Sequence, residues 1–304
     1  MASFTVDASP VQRARRLGTP GLPSVSARRP AASERDPSAM VAMATGREHA
    51  GPMDDRQAGP VPQSTRASVD ALLAAGSRAL DEARWQDAVE ALSLAAPALP
   101  PGGPEHARAS AGLSEALWWL GEVDAALETR TMAYASWRAS GEDDAAAAAA
   151  AWLAREYAGA IGNEAASRGW LARAETLADT TSSPVVQGWV ALAGAYTARD
   201  PFEQITLAGT ALTHARAAGD VDIEVLALSR RGLATVASGA LESGLVDLDE
   251  AMAAATGGET RLSTLATACC DLVLAASCRA SSSGSHSGTT SSHRSPNAMA
   301  IRGC

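Results

Sequence analysis

The side chains that could recognise a ligand in this sequence are a few aromatic rings and one arginine on helical stretches. Of twelve aromatic residues, seven are Trp. The candidate groove consists of Trp119, Trp152, Arg155, Tyr157 and Tyr196. Rings beside a guanidinium can bind a peptide or a small ligand through stacking and cation–π contacts. The alternative interpretation is that the rings only fill space between Ala-rich helices.

No pattern of nucleophile, acid or base predicts catalysis. All 25 basic residues are Arg, which excludes a P-loop lysine, a Schiff-base lysine and a Ser-x-x-Lys pair. His106 and His214 stand alone, without Cys or paired carboxylates near them. Residues 284–288 resemble a nucleophile elbow only superficially, because their centre is His286. We therefore expect a protein that is not an enzyme and holds no cofactor.

The cysteines indicate neither a metal site nor a disulfide framework. All four lie in the last 36 residues, as Cys269, Cys270, Cys278 and Cys304. Together with His286 and His293 they match no zinc-ligand spacing, and adjacent cysteines rarely bind one ion. The remainder of the chain has no Cys that could cross-link it.

The charge distribution argues against direct binding to nucleic acid. Residues 67–280 contain 28 acidic residues and 14 Arg, whereas phosphate binding needs clustered cations. No uncharged apolar stretch reaches the roughly 18 residues that a membrane span requires. The arginine pairs at residues 15–16 and 28–29 are followed by Pro rather than by an apolar signal segment. The expected location is the cytoplasm, without a membrane partner.

The composition and the periodicity predict an all-α domain at residues 67–279. Ala contributes 70 of the 304 residues, and Ala, Leu, Arg and Glu favour helices. The predicted helices are 68–83, 86–97, 105–120, 122–139, 143–160, 163–179, 184–198, 202–218, 221–238, 241–256 and 259–276. The Pro- and Arg-rich residues 1–66 and the Ser-rich residues 280–304 are expected to be disordered.

The turns within the helix pairs recur at a nearly constant spacing. Their aligned residues are Trp85, Val123, Glu164, Phe202 and Leu241, which are 38, 41, 38 and 39 positions apart. Intervals this regular are typical of a repeat array.

Small residues follow the turns at fixed offsets. Trp85 precedes Ala88 and Ala95, and Leu241 precedes Gly244 and Ala251. A small residue three positions after a large one, and another seven further on, lets antiparallel helices approach closely. The seven consecutive Ala at residues 145–151 likewise predict a packed helix face, to which we assign no ligand role.

The large–small–small offsets resemble those of tetratricopeptide repeats, although the units are longer. Residues 115–175 and 244–259 also resemble the helical-repeat region of actinobacterial LuxR-type transcription regulators, and the resemblance extends over 68–276. It implies a right-handed solenoid of antiparallel helix pairs, with repeats of about 38–41 residues, that senses an effector or binds a partner. Such a solenoid is normally joined to a helix-turn-helix, for which we identify no credible pattern and no basic recognition helix in these residues.

These observations predict a non-catalytic module that binds a protein, a peptide or a small effector. The resemblance implies that the module is the regulatory part of a LuxR-type regulator. The alternative is a stand-alone scaffold unrelated to transcription. Helical periodicity stops abruptly in residues 281–304, SSSGSHSGTTSSHRSPNAMAIRGC. This change suggests a frameshift or a truncated gene, and the alternative is a natural Ser-rich tail.

A repeat array without a C-terminal cap exposes an apolar face on its last helix. We therefore predict that the chain self-associates through this face, as measured by light scattering at increasing protein concentration. A monodisperse monomer at high concentration would argue against an uncapped repeat.

Overall fold

Every regular element that the structure describes is a helix. The computed structural model describes residues 63–258 and 260–283. Their α-helices are α1 Gln63–Asp81, α2 Trp85–Ala95, α3 Pro104–Trp119, α4 Val123–Ser140, α5 Asp143–Glu156, α6 Glu164–Ala178, α7 Pro184–Thr197, α8 Pro201–Ala218, α9 Val221–Ala237, α10 Leu241–Thr256 and α11 Leu262–Ser283. A 3-10 turn, Ala96–Ala98, follows α2, and a π-helical turn, Tyr157–Ile161, follows α5. The all-α prediction is confirmed for this part of the chain.

The first and last helices are longer than the sequence predicted. Helix α1 begins at Gln63 instead of residue 68, and α11 ends at Ser283 instead of about residue 276. Residues 63–66 and 280–283, expected to be disordered, are therefore helical. The rest of the predicted disordered segments, 1–62 and 284–304, lies outside the described residues.

Polar side chains and glycines fix where several helices begin and end. Asp200 Oδ2 accepts a hydrogen bond from the Glu203 amide at 3.2 Å, and Asp220 Oδ1 accepts one from the Ile223 amide at 2.9 Å. These contacts satisfy amides that have no partner within the helix. Helix α8 ends at Ala218 and is followed by Gly219, whose φ of +67° is a left-handed conformation that other residues adopt only with strain.

The helices pack in neighbouring pairs. Helix α3 packs on α4, α5 on α6, α7 on α8, and α9 on α10. The first helices of successive pairs also pack on one another, α5 on α7, α7 on α9, and α9 on α11. The backbones of α3 and α5, by contrast, make few close contacts.

Small residues at the predicted offsets are buried between paired helices. Ala88 and Ala95 of α2 are fully buried, and Gly244 of α10 is buried against α9. A Cβ on Gly244 would lie 2.6 Å from the carbonyl oxygen of Gly232, and a Cβ on Gly232 would lie 2.8 Å from that of Gly244. These backbones approach so closely that neither position has room for a side chain.

None of the described helices combines the length and the apolar character needed to cross a membrane. Helix α11 packs on α9 and α10, and it leaves Leu262 and Val273 exposed at 48% and 60% of their surface. These two side chains belong to the face through which self-association is predicted.

The close contact between α9 and α10 predicts that Ala substitutions at two glycines change the free energy of unfolding in opposite directions. Gly232→Ala forces a Cβ against the backbone of α10 and should lower the free energy of unfolding by about 1–3 kcal/mol. Gly209→Ala, where a Cβ meets nothing within 4 Å, should raise it by up to about 1 kcal/mol through helix propensity. Urea denaturation measures both values. Equal effects at the two positions would show that α9 and α10 do not approach as closely as described.

A candidate ligand pocket

The first helices of successive pairs surround a pocket of about 350 Å³. Helices α3, α5, α7, α9 and α11 each contribute lining residues, and α4 and the segment before α11 complete the walls. The aromatic lining residues are Trp118, Trp119, Trp137, Trp152, Trp189 and Tyr196. The charged ones are Glu115, Arg130, Arg155, Glu156 and Arg261. This volume and this mixture of rings and a few polar groups are typical of small-molecule sites.

The structure brings four of the five predicted groove residues into this lining: Trp119, Trp152, Arg155 and Tyr196. Tyr157, the first residue of the π-helical turn after α5, is not among the lining residues, although Gly159 of the same turn is. A residue five positions after Trp152 projects about 140° away from it around a helix, which directs Tyr157 to a different face.

Aromatic contacts span the space between α3 and α5. The ring of Trp118 meets that of Trp152 edge to face, with centroids 5.3 Å apart and planes at 78°. Trp119 instead stacks on Trp85 of α2, at 5.7 Å and 15°. Trp118 and Trp119 are both half-buried and both line the pocket. Since bulky rings replace direct packing of α3 on α5, the two helices stay apart and space remains between them.

Three residues of the alanine run of α5 line the pocket, although the sequence predicted only a packed helix face for this run. Ala146, Ala147 and Ala150 are buried, as expected for a packed face. Ala145, Ala148 and Ala149, however, line the pocket. Their single methyl groups leave volume that larger side chains would occupy.

Two of the three lining arginines are paired with carboxylates. Arg155 donates to Glu156 Oε1 from Nε at 2.9 Å and from Nη2 at 2.5 Å. Burial is the largest single effect on Arg155 and opposes its charge, but the charge and hydrogen bond of Glu156, together with Tyr196 and Glu115, outweigh it and raise the pKa of Arg155. Arg261 donates from Nε to Asp222 Oδ2 at 2.9 Å, and its Nη1 lies 3.8 Å from Glu115 Oε2. The second contact joins the segment before α11 to α3 across the pocket.

Arg130 is the third lining arginine, and no carboxylate of a described residue lies within 4 Å of it. Its Nε donates to Ser114 Oγ at 3.2 Å, and its guanidinium carbon lies 4.4 Å from the centre of the Trp152 ring. Burial lowers the pKa of Arg130 to about 10. The side chain is therefore still cationic at neutral pH, although it is poorly solvated.

A buried polar cluster supports the pocket from behind. Tyr196 donates from its hydroxyl to Asp271 Oδ2 at 3.3 Å, and Ser229 donates to the same oxygen at 3.1 Å. Asp271 of α11 is only 4% exposed, and the guanidinium of Arg230 lies 4.5 Å from the centre of the Tyr196 ring. The pocket wall at Tyr196 is thus connected to the last described helix.

Sequence reasoning missed Arg130, Arg261 and Asp271 because it considered only the first helices of the pairs and their aromatic residues. Arg130 lies on a second helix, and Arg261 lies in the segment between α10 and α11. Asp271 directly follows Cys269 and Cys270, and this segment was considered only for its cysteines as possible metal or disulfide residues. A charged residue within the apolar stretch of a predicted helix was the one available signal for Asp271.

The described residues include no group of three or more His, Cys, Asp or Glu that could hold a metal ion. Cys269 and Cys270 are half-buried on α11, and the other metal candidates, the side chain of Cys278 with Cys304, His286 and His293, lie outside the described part. No protein-family model matches this chain, and no curated protein sequence does either. The pocket must therefore be interpreted from its own geometry.

The burial of Asp271 predicts a pH-dependent stability. Burial, the largest effect, raises the pKa of Asp271 above its ordinary value of 3.8. Between the unfolded and the folded pKa the native state binds more protons, so the contribution of Asp271 to stability falls as the pH rises. Asp271→Asn removes the titrating carboxyl group and with it this loss of stability. The variant keeps an amide oxygen that accepts hydrogen bonds from Tyr196 and Ser229. The substitution can also change the free energy of unfolding by an amount that is the same at every pH. The difference between the variant and the wild type should nevertheless increase with pH.

Urea denaturation from about pH 4 to about pH 8 measures this difference. Asp249→Asn, on the exposed face of α10, controls for the loss of one carboxylate. A relative stability of Asp271→Asn that falls with rising pH would contradict the buried environment of Asp271.

Proposed function

We propose that this chain is a non-catalytic binding module that holds a small ligand in the pocket between its first helices. The observation that carries the proposal is the pocket itself, about 350 Å³ in volume and walled by aromatic rings and arginines. Aromatic anchors and arginines dominate the energetics of recognition sites because they bury much surface at little entropic cost.

The fold that we propose for the module is a right-handed, tetratricopeptide-like solenoid with repeats of about 38–41 residues. Three features support it: the helices pack in neighbouring pairs, the turns recur at those intervals, and small residues are buried at the shared offsets. In such an array the first helices form the concave face, which is the usual binding surface. The pocket residues come mainly from first helices, which agrees with this arrangement.

We further propose that the module is the regulatory part of a LuxR-type transcription regulator and acts in the cytoplasm. The support is the sequence resemblance of residues 68–276, together with the contact of Arg261 with Glu115 across the pocket. A ligand between α3 and the start of α11 changes the contacts that join distant helices of the array. Such a ligand can therefore shift the relative stability of two arrangements of the module, which is the physical requirement for regulation.

A pocket-filling substitution tests the ligand site. Ala148→Phe places a ring in the space beside Trp152, whereas Ala172→Phe adds the same ring to the exposed face of α6. We expect aromatic fragments, screened by ligand-observed NMR, to bind the wild type and Ala172→Phe alike. Their affinity for Ala148→Phe should be at least about tenfold lower, since filling the pocket removes their contact surface. Fragments that bind Ala148→Phe as tightly as the wild type would refute the site.

A further inference from the structure

We infer that the ligand of this pocket is a small organic monoanion with a flat apolar body, and that its charged group binds the guanidinium of Arg130. This inference rests on the proposed function, because it assumes that the pocket binds a ligand. It adds the chemical class of that ligand and the residue that selects it.

The charges of the lining favour an anion over a cation or a neutral compound. Guanidinium groups outnumber carboxylates by three to two, Arg130, Arg155 and Arg261 against Glu115 and Glu156. The carboxylate of Glu156 is hydrogen-bonded to Arg155, and Glu115 lies 3.8 Å from Arg261. Arg261 also donates to Asp222, just outside the lining, so Glu115 is shared between Arg261 and Arg130. Arg130 is the lining guanidinium that has no carboxylate of a described residue within 4 Å.

The guanidinium of Arg130 is held in one orientation before any ligand arrives. Its Nε donates to Ser114 Oγ, and the Ser114 hydroxyl itself donates to the carbonyl oxygen of Ala126 at 2.8 Å. Ser114 is fully buried, so this attachment is shielded from water. Stacking on Trp152 fixes the plane of the guanidinium. A group that is already ordered loses little entropy when it binds a ligand.

The terminal nitrogens of Arg130 remain available for that ligand. Neither Nη1 nor Nη2 donates to an acceptor among the described residues, and both belong to a side chain that lines the pocket. Two parallel N–H groups match the two oxygens of a carboxylate. A poorly solvated charge with no carboxylate in direct contact is unfavourable, and an anionic ligand that binds the two terminal nitrogens lowers this penalty.

The remaining walls define the body of the ligand. Trp118, Trp152 and Trp189 offer flat ring surfaces, and Ala145 and Ala148 leave a smooth wall without polar side-chain atoms. The pocket volume lies at the lower end of the range for small molecules, which favours one ring system over an extended peptide. A planar aromatic or unsaturated carboxylic acid has both a carboxylate for Arg130 and a flat apolar body for these walls.

Cinnamate and its neutral amide, cinnamamide, test this inference because they share a shape and differ in charge. Their dissociation constants are measured by ligand-observed NMR titration with the full chain. The wild type should bind cinnamate at least about tenfold more tightly than cinnamamide, since one hydrogen bond to a charged group contributes that much. This comparison needs no substitution, so it holds even if a variant folds poorly.

Two arginine variants then assign the preference to a residue. Arg130→Gln should remove the preference for cinnamate and leave the affinity for cinnamamide nearly unchanged. Arg173→Gln is the matched control, because Arg173 also lies over an indole, that of Trp170 at 5.1 Å, but is exposed and outside the pocket. It should change either affinity by less than about twofold. Circular dichroism and thermal unfolding establish that both variants are folded.

The outcomes separate this inference from the function on which it rests. Equal affinities for the two compounds, both reduced in Ala148→Phe, would overturn the anion preference and retain the pocket. A cinnamate preference that survives Arg130→Gln would overturn the role of Arg130 and with it the inference. If neither compound binds the wild type, both the inference and the proposed ligand site are overturned.

Discussion

The edge-to-face contact between Trp118 and Trp152 is the interaction on which the pocket depends. Helices α7, α9 and α11 pack directly on the preceding first helices, α5, α7 and α9, but α3 and α5 are separated by these two rings. An indole is larger than the Ala, Val and Leu side chains that are buried between the other helices, so it keeps the backbones apart. The separation leaves a volume that the single methyl groups of the α5 alanine run do not fill. A cavity of this kind costs stability unless a ligand occupies it.

The charges around this volume follow from the same separation. Arg130 extends from α4 into the space between α3 and α5, where Trp152 provides a surface for its guanidinium. A closer packing of α3 on α5 would leave no room for that side chain. On the opposite side, Tyr196 forms both a wall of the pocket and a hydrogen bond to the buried Asp271. Ligand contacts at Tyr196 therefore reach α11 through a single side chain, and this is a direct physical connection between the pocket and the last described helix.

The sequence predicted the helices and much of the site, because both depend on local patterns. Periodicity, Pro at helix starts and Gly at helix ends located the paired helices. Trp119, Trp152, Arg155 and Tyr196 were singled out because they lie on first helices, and all four line the pocket. Tyr157 does not line the pocket, because a residue five positions after Trp152 projects about 140° away from it around a helix. The ends of α1 and α11 were missed because the signals that stop a helix were inferred from composition alone.

The remaining parts of the site could not be predicted, since they depend on contacts between residues far apart in sequence. The contact of Arg261 with Glu115 joins positions that are unrelated by any periodicity, and so does the bond of Tyr196 with Asp271. The role of the alanine run was also hidden. An Ala that packs against a helix and an Ala that borders a pocket look identical in a sequence, and only the position of α3 relative to α5 distinguishes them.

The indole N–H signals of the seven Trp residues provide the most direct measurement of the central claim. Five of these residues line the pocket, whereas Trp170 lies outside it, on α6. In a ¹⁵N–¹H correlation spectrum titrated with cinnamate, the account predicts that the signals of Trp118 and Trp152 shift in a saturable manner while that of Trp170 stays in place. A shift of Trp170 without shifts of Trp118 and Trp152 would contradict it.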